Sequence, residues 1–261
     1  MRRRLDVELV RRGLAPSRTR AVELIEADHV TVGGAPARTA SRQVGADEAI
    51  AVDAPAARFV SRGGAKLDAA LSAFSIDVSG RRALDAGAST GGFTDCLLQR
   101  GAAGVVAVDV GRGQLAWSLR TDDRVTVLER VNVRALEPGE VGGPVDLLVA
   151  DLSFISLVTV APALAALTTA EADLVLLVKP QFEAGRDRVG KGGIVRDPAV
   201  HRAVLGEVVD GLARAGLGVR ALVASPLRGA DGNVEFLAHV VHGAPTVPPA
   251  ELDRVVEGVH A

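Results

Sequence analysis

Two lysines and two carboxylates stand out in this sequence because together they could move a proton. They are Lys66, Asp151, Lys179 and Glu235. A lysine accepts a proton only when burial or a nearby cation lowers its pKa, and carboxylates can hold ammonium groups in place. Lys66 could be the nearby cation that lowers the pKa of Lys179. The four residues suit the removal of a proton from a hydroxyl nucleophile. The alternative interpretation is that they form two ordinary ion pairs without a catalytic role.

A glycine-rich stretch at 85–95 is typical of a nucleotide-like ligand site, because it lies between a short apolar run and a helical pattern. Its spacing, Gly-x-x-x-Gly-Gly, differs from that of dinucleotide sites, so the ligand need not carry a pyrophosphate. Asp85, ahead of the first glycine, suits a cationic group such as the amino group of S-adenosylmethionine (SAM). An ordinary turn of an α/β domain is the alternative. The residues that we expect around SAM are Asp85, Gly87, Ser89, Gly91, Gly92, Phe93, Asp109 and Asn132.

The elements that must position these residues alternate between strand-like and helical patterns. Strand-like runs occupy 82–86, 105–110, 125–129, 145–151, 174–179, 219–224 and 234–241, and helical runs occupy 93–100, 113–119, 155–167 and 199–215. Repeated βα units predict a mostly parallel sheet covered by helices on both faces. Only a turn separates the last two strands, so they can form an antiparallel hairpin. We predict an α/β fold with a Rossmann-like sheet of seven strands whose last strand is antiparallel.

The candidate residues fall at one edge of this predicted sheet, where the parallel strands have their carboxyl ends and where such sheets bind ligands. Those that end or follow a strand are Asp85, Asp109, Asp151 and Lys179. Glu235 begins the antiparallel strand, so it lies at the same edge, and Lys66 lies on a helix that can cover it. Asp109 would bind the ribose hydroxyls of SAM; the alternative is that its carboxylate only stabilises the turn before Gly111. Asn132 follows the third strand and would contact the adenine.

Length and composition limit the possible classes of protein. A chain of 261 residues suits two domains, and 48% hydrophobic residues are enough for a core. The single cysteine, Cys96, excludes an internal disulfide and fits a reducing compartment. The five histidines show no metal-ligand spacing, and the apolar region 145–170 is interrupted by Asp146, Asp151 and Pro162. We therefore expect a cytoplasmic monomer with neither a metal site nor a membrane span.

Residues 1–55 are predicted to form a small α+β domain. Helical patterns at 4–10 and 18–27 precede short strand patterns at 29–32, 35–37 and 49–52. The net charge of the chain is −2, yet seven arginines and only two acids occupy the first twenty residues. Such a basic patch can bind phosphates even in a neutral protein, and the alternative is a solvated face of a structural domain.

The N-terminal patterns resemble the αL-type RNA-binding domain. The matching strings are Arg4-Leu5-Asp6, Ser17-Arg18, Leu24-Ile25, Val30-Thr31-Val32-Gly33-Gly34 and Ile50-Ala51-Val52. The resemblance implies that two helices and a small sheet present arginines to structured RNA. It places Arg4, Ser17, Arg18 and Arg20 opposite phosphates, which an arginine can bind through two parallel hydrogen bonds.

The order Lys66, Asp151, Lys179, Glu235, with the glycine-rich stretch, resembles the tetrad of FtsJ-like RNA ribose methyltransferases. With the αL-type domain in front, the chain is similar to the TlyA family over nearly its whole length. Further matching strings are Ser61-Arg62-Gly63-Gly64, Asp151-Leu152-Ser153-Phe154-Ile155-Ser156-Leu157, Lys179-Pro180-Gln181-Phe182-Glu183 and Gly190-Lys191-Gly192-Gly193-Ile194-Val195-Arg196-Asp197. The resemblance implies a class I SAM-dependent methyltransferase acting on the 2′-hydroxyl of cytidine in the ribosomal RNA of small or large subunits. It also implies sensitivity to capreomycin-type antibiotics.

The predicted domain boundaries are an RNA-binding domain at 1–55, a linker at 56–62, a methyltransferase domain at 63–245 and a C-terminal tail at 246–261. Family members often carry Arg-x-Trp-Val in the linker, whereas this chain has Ala57-Arg58-Phe59-Val60. If the first arginine of that motif couples RNA binding to SAM binding, either Arg58 or Arg62 replaces it here, or the coupling differs. Arg62 and Lys191 complete the candidate RNA contacts. Loop 183–197 is rich in glycine and charge, and we expect it to close over RNA, with a plain solvent loop as the alternative.

Two other functions stay open. The family is also labelled haemolysin, but a pore-forming protein is disfavoured because the sequence shows no apolar span, no repeated amphipathic hairpin and no secretion signal. The other function is that of an RNA-binding assembly factor whose methyltransferase fold is idle. Loss of tetrad residues would favour that function, and all four are present.

Overall fold

The computed structural model describes residues 2–15, 18–53, 57–229, 232–243 and 246–260. Contacts divide the chain into an N-terminal unit, Met1–Arg58, and a C-terminal unit, Phe59–Ala261. Among the described residues, one buried apolar cluster lies in the N-terminal unit and two lie in the C-terminal unit, as expected for two domains.

The N-terminal unit is a small α+β domain. Its elements are β1 (Arg3–Arg4), α1 (Leu5–Arg11), α2 (Arg18–Glu26), β2 (Val30–Val32), β3 (Ala35–Pro36), β4 (Gln43–Val44) and β5 (Ile50–Val52). β2 lies between β3 and β5 in an antiparallel sheet, and β1 pairs with β4. Leu5 and Leu9 of α1 pack with Leu24 and Ile25 of α2 because the apolar side chains recur at helical spacing. The two predicted helices and the small sheet are confirmed, while the short β1–β4 pair was not anticipated.

The C-terminal unit alternates strands and helices. Its elements are α3 (Arg62–Ala73), β6 (Arg82–Ala86), α4 (Gly92–Gln99), β7 (Gly104–Asp109), α5 (Trp117–Arg120), β8 (Val125–Glu129), β9 (Val145–Ala150), α6 (Leu157–Ala166), β10 (Thr168–Val178), α7 (Pro180–Glu183), α8 (Pro198–Arg214), β11 (Leu217–Ala224), β12 (Phe236–His242) and α9 (Pro249–His260), with 3₁₀ turns at Val133–Ala135, Pro138–Val141 and Arg186–Arg188.

The predicted seven-stranded sheet is confirmed, with the order β11-β12-β10-β9-β6-β7-β8. β12 is antiparallel to both neighbours, β10 and β11, and the other neighbouring pairs are parallel. The predicted β11–β12 hairpin therefore exists, but β12 inserts between β11 and β10 and leaves β11 at the edge. Because Val178 pairs with Phe236, the residues just beyond them, Lys179 and Glu235, lie at the same end of two adjacent strands.

The sheet is buried on both faces, as expected for a parallel sheet covered by helices. Successive residues of β9 alternate between two apolar clusters: Leu148 and Ala150 pack on one face, and Leu147 and Val149 on the other. Helices α6, α8 and α9 contribute to the first cluster, and α3 and α4 to the second. This two-sided burial holds the strand ends, and therefore the candidate residues, at fixed positions.

Several elements differ from the sequence expectations. β12 begins at Phe236, so Glu235 precedes this strand and does not begin it, and α7 was not predicted. β10 begins at Thr168, six residues before the predicted 174, with a register shift between Thr168 and Asp173. The predicted helix at 113–119 is wrong in extent, because only Trp117–Arg120 is helical and the preceding residues form a loop. Residues assigned to a tail form α9, which buries Leu252 and Val256 in the core.

Candidate active site

The first ion pair of the site joins Lys179 to Asp151. These residues directly follow β10 and β9, which are parallel neighbours, so their side chains emerge at the same sheet edge. Lys179 Nζ lies 2.6 Å from Asp151 Oδ1 and donates a 3.0 Å hydrogen bond to Ser153 Oγ. The lysine side chain is only 12% exposed. The ammonium group is thus held by two oxygen atoms from one loop.

The second ion pair joins Lys66 to Glu235 across 169 positions of sequence, with Nζ 2.5 Å from Oε2. Lys66 belongs to the buried side of α3, beside Leu67, and both side chains of the pair are less than 10% exposed. A Cβ at Gly229 would lie 2.5 Å from Glu235 Oε1, so the absence of a side chain there makes room for the carboxylate. Each lysine therefore has its own carboxylate; the suggestion that Lys66 acts on Lys179 stays a prediction.

Buried ion pairs are costly to desolvate and are weak evidence for stability. Two ion pairs at the carboxyl edge of one sheet, one buried and one partly exposed at Asp151, are better explained by chemistry. Together they carry two positive and two negative formal charges, so the site can take up or release a proton without a large local net charge.

Asp85, near the end of β6, is fully buried. Its Oδ2 accepts a 2.7 Å hydrogen bond from the Thr94 hydroxyl, while its Oδ1 has no hydrogen-bond partner among the described residues. Burial raises the pKa of Asp85 to about 7; the Thr94 hydrogen bond opposes this rise, and the negative charge of Asp151 adds to it. A buried carboxylate oxygen without a partner is expensive, and a cationic ligand group would compensate for it.

The turn after β6 can only be made with glycine at Gly87. Its φ is +85°, and a Cβ there would lie 2.5 Å from the carbonyl oxygen of Asp151. The turn therefore brings the glycine-rich stretch into contact with the loop that follows β9 and begins at Asp151, which we call the tetrad loop. Ser89 also has a positive φ, +48°, which points to a tightly constrained backbone. Gly91 caps α4, and Gly92 and Phe93 begin it; the Phe93 ring is packed in the core, so its expected contact with SAM stays a prediction.

A pocket opens beside this turn. It is lined by Ala88, Ser89, Ala107, Asp109, Gly111, Gln114, Leu115, Val127 and Glu129. Asp109 accepts hydrogen bonds from the amides of Ser89 (2.8 Å) and Gly111 (2.6 Å), so it holds its turn and still has lone pairs for a ligand. Sequence reasoning missed Glu129 and Gln114. Glu129 ends β8 as Asp109 ends β7, and that parallel was the available signal.

Asn132 is not among the residues that line this pocket. Its side-chain oxygen accepts a 3.1 Å hydrogen bond from the Arg134 amide and thereby caps the 3₁₀ turn that follows. The expected contact of Asn132 with adenine stays a prediction.

Phe154 is a further candidate residue that the sequence analysis did not include. Its side chain is 90% exposed and its φ is +63°, an unusual combination for a phenylalanine. Its ring centroid lies 4.9 Å from that of Phe182, and the Phe182 ring lies 5.8 Å from Lys179 Nζ. An aromatic pair, of which Phe154 is exposed and Phe182 partly buried, therefore lies beside the nearly buried lysine. The available signal was an aromatic residue in the loop after Asp151, in a chain with only six phenylalanines.

Two of the expected RNA contacts of the N-terminal unit, Arg4 and Arg18, are exposed arginines. Arg4 and Arg18 both hydrogen-bond the buried carboxylate of Asp6, and their side chains remain 45% and 63% exposed. Burial alone would raise the pKa of Asp6, but the bonds from Arg4 and Arg18 outweigh it and lower the pKa to about 2. Asp6 thus orients two guanidinium groups that still face solvent. Arg20 lies 3.1 Å from Glu23, and Ser17 lies outside the described residues.

Arg62, the first residue of α3, and Lys191 are exposed in the C-terminal unit. Lys191 belongs to loop 183–197, whose second half is tied to the segment before β12. Asn233, itself buried, accepts a 2.9 Å hydrogen bond from the Val195 amide and donates one of 3.0 Å to the Gly193 carbonyl. The expected closure of this loop over RNA stays a prediction. Within the described part of the chain, no helix combines the length and apolarity needed to cross a membrane.

Comparison with known proteins places the chain in a family. Residues 59–241 match the FtsJ-like methyltransferase family, and residues 3–50 match the S4 domain. Over 236 residues the chain is 56% identical to the 16S/23S rRNA (cytidine-2′-O)-methyltransferase TlyA of Mycobacterium tuberculosis, an alignment that covers 90% of this chain and 88% of that relative.

Two further relatives are similar over at least nine tenths of this chain. Hemolysin A of Brachyspira hyodysenteriae is 38% identical, covering 91% of this chain and 99% of its own. A solved structure of a hemolysin candidate from Streptococcus thermophilus has a TM-score of 0.81 at 40% identity, covering 99% of this chain and 96% of that one. The chain therefore belongs to the TlyA family of FtsJ-like methyltransferases with an N-terminal S4 domain.

Proposed function

We propose that this protein transfers a methyl group from SAM to the 2′-hydroxyl of a cytidine ribose in ribosomal RNA. The observation that carries the proposal is the pair of lysine–carboxylate contacts, Lys179–Asp151 and Lys66–Glu235, at the sheet edge where Asp85 also lies. The name of the Mycobacterium tuberculosis relative supports the choice of cytidine and of both ribosomal subunits.

The residues present fit SAM. The unpartnered Oδ1 of Asp85 can accept a hydrogen bond from its amino group, and Asp109 can accept from the ribose hydroxyls. Leu115 and Val127 give the neighbouring pocket an apolar wall that suits the adenine. When bound, SAM supplies an electrophilic methyl carbon, so the protein has to provide the nucleophile with an exit for its proton.

Lys179 is the residue placed to receive that proton. Asp151 and Ser153 hold its Nζ at the sheet edge, and its side chain is nearly buried. Once Nζ has released a proton to solvent, the amine accepts the hydroxyl proton as the oxygen gains the methyl group and the methyl–sulfur bond of the donor breaks. Asp151 then stabilises the ammonium that forms. The Lys66–Glu235 pair lies at the same edge of the sheet, because Glu235 directly precedes β12. It offers a second hydrogen-bonding group for the ribose.

Phe154 supplies a surface for the target nucleotide. A ribose inside a helix cannot reach a nearly buried lysine, so the nucleotide has to leave its stack, at a cost of a few kcal/mol. The exposed Phe154 ring, supported by Phe182, can stack on the displaced base and offset that cost. The exposed arginines of the N-terminal unit, Arg4 and Arg18, would contribute phosphate contacts that position the RNA without reading its sequence.

The test is transfer of labelled methyl from SAM to ribosomal subunits that lack ribose methylation, with wild type and Lys179→Ala side by side. We expect alkali-resistant label with wild type and a loss of at least about 100-fold in kcat with Lys179→Ala, because general-base catalysis contributes about 10²–10⁴-fold. The control is Arg202→Ala, which removes a surface ion pair to Asp253. SAM binding by wild type without transfer to either subunit would contradict the proposed substrate and favour the idle fold.

A further inference from the structure

Glu183, at the end of α7, makes a contact that the proposed mechanism does not use. Its carboxylate accepts a 2.6 Å hydrogen bond from the Ser156 hydroxyl and a 2.8 Å bond from the Leu157 amide. Both donors belong to the start of α6. Glu183 therefore joins the segment that follows β10 to the segment that follows β9.

These two segments, 151–157 and 179–183, touch at successive points. Near their beginnings, Lys179 contacts Asp151 and Ser153. Further along, the Phe182 ring lies against Phe154. The Glu183 bonds close the far end. The contacts that hold the Lys179 ammonium thus form one end of a continuous interface between the two segments, and the contacts of Glu183 form the other end.

Neither segment is rigid by itself. α7 has only four residues, too few for a helix to be stable without outside contacts. Segment 151–157 contains Phe154 at a positive φ, a conformation that persists only where the surroundings enforce it. The hydrogen bonds of Glu183 are therefore well placed to fix how far Asp151 and Ser153 lie from Lys179.

Capping of α6 accounts for only one of the two hydrogen bonds of Glu183, the one from the Leu157 amide, and not for the one from the Ser156 hydroxyl. Ser156 is already the N-cap of α6, and its Oγ accepts a 3.1 Å hydrogen bond from the Val158 amide. Burial raises the pKa of Glu183; the bonds from Leu157 and Ser156 oppose this rise, and the charge of Glu207 adds to it. A half-buried carboxylate is thus retained at a cost where the helix already has a cap.

We infer that Glu183 is a positioning residue for methyl transfer: it holds segment 151–157 at the distance at which Asp151 and Ser153 both reach Lys179. The inference rests on the proposed function and adds a residue that acts through the catalytic lysine. The positioning role requires the length of the glutamate side chain and its acceptor oxygen, and this role does not require the negative charge.

Three substitutions separate length from charge. Glu183→Gln keeps the length, can accept from the Leu157 amide and can donate to Ser156 Oγ, so we expect kcat within about threefold of wild type. Glu183→Asp keeps the charge but is one methylene shorter, and Glu183→Ala removes the group. Both should lower kcat about 10- to 100-fold, the scale of a misplacement near 1 Å. The measurements are kcat and KM for ribosomal subunits, SAM affinity and the melting temperature.

A merely structural role predicts a different pattern. It would lower SAM affinity and melting temperature together with kcat, whereas positioning lowers kcat and leaves SAM affinity and KM within about twofold. Glu207→Gln is the matched control, because it removes a nearby carboxylate that bonds Arg188 on the surface. Two outcomes would overturn the inference and leave the proposed function standing, provided that the wild type transfers methyl groups. In the first, Glu183→Ala has a normal kcat. In the second, Glu183→Gln is as impaired as Glu183→Ala. Absence of transfer by wild type would overturn the proposed function as well.

Discussion

At the scale of single residues, Asp85 shows a conflict between stability and function. Its carboxylate is fully buried, with one oxygen bonded to Thr94 and the other without a partner among the described residues. An apolar or amide side chain would be less costly at this position. Its retention makes sense if a cationic group of SAM completes the hydrogen bonding.

Asp85→Asn should therefore stabilise the protein and weaken SAM binding. The folded-state pKa of Asp85 is raised from 3.8 to about 7, so the stability that this group contributes is complete below pH 4 and is lost as pH rises through 7. Removing the charge should raise the free energy of unfolding at pH 8 by up to about 4 kcal/mol, with little effect near pH 4. Thermal melts from pH 4 to pH 8 measure the difference.

The same substitution should make SAM affinity less dependent on pH. In wild type, affinity should rise between pH 6 and pH 8 as Asp85 ionises, and calorimetric titration should show a flat response for Asp85→Asn. Equal affinities of the two proteins at pH 8 would show that Asp85 does not face the cofactor.

At the scale of elements, the turn between β6 and α4 connects the cofactor site to the tetrad. Gly87 approaches the Asp151 carbonyl so closely that no side chain fits between them. The Asp151 amide also donates a 3.0 Å hydrogen bond to the Ala86 carbonyl, which continues the β6–β9 pairing beyond the strands. The turn and the tetrad loop must therefore fold as one piece.

Gly87→Ala and Gly80→Ala form a matched pair that tests this connection. Both glycines have positive φ, +85° and +71°, but a Cβ at Gly80 would meet nothing within 4 Å. Gly80→Ala should cost only the backbone strain, about 1–2 kcal/mol. Gly87→Ala should cost more and should also abolish SAM binding, because the Asp151 carbonyl must move. Chemical denaturation and SAM titration give both quantities, and equal losses in the two variants would argue against the close approach.

At the scale of the whole molecule, the two ends of the sheet have different roles. The carboxyl ends of the parallel strands carry the tetrad, whereas Asp173 binds Arg81 and His239 toward the opposite end. The Arg81 guanidinium lies 2.7 Å from Asp173 Oδ2, and His239 Nε2 lies 2.7 Å from Oδ1. This cluster ties β10, β12 and the entry to β6 together, so we expect it to serve stability and not catalysis.

Asp173→Asn should destabilise the fold without lowering kcat. The hydrogen bond from His239, against the effect of burial and with help from Arg81, lowers the pKa of Asp173 to about 2. A lowered pKa stabilises the fold above about pH 4, and this contribution disappears as pH falls toward 2. We expect a loss of about 1–2 kcal/mol at pH 7 that shrinks at pH 3. Urea unfolding at the two pH values measures it, and a loss of kcat would show that the cluster also supports the site.

The sequence by itself determined the fold class and predicted the four candidate residues of the tetrad. Alternating strand and helix patterns predicted the seven-stranded sheet, and the position of Asp151 and Lys179 at strand ends was enough to bring them to one edge. Strand periodicity is local, and parallel strands share an edge by topology, so no knowledge of side-chain contacts was needed.

Only the tertiary structure decided which groups touch. It paired Lys66 with Glu235 and Lys179 with Asp151, exposed Phe154, shortened α5 and placed β12 between β10 and β11. It also brought Glu183 against the start of α6. These contacts join residues that are distant in sequence, and side-chain packing and backbone register select them, which no local pattern encodes.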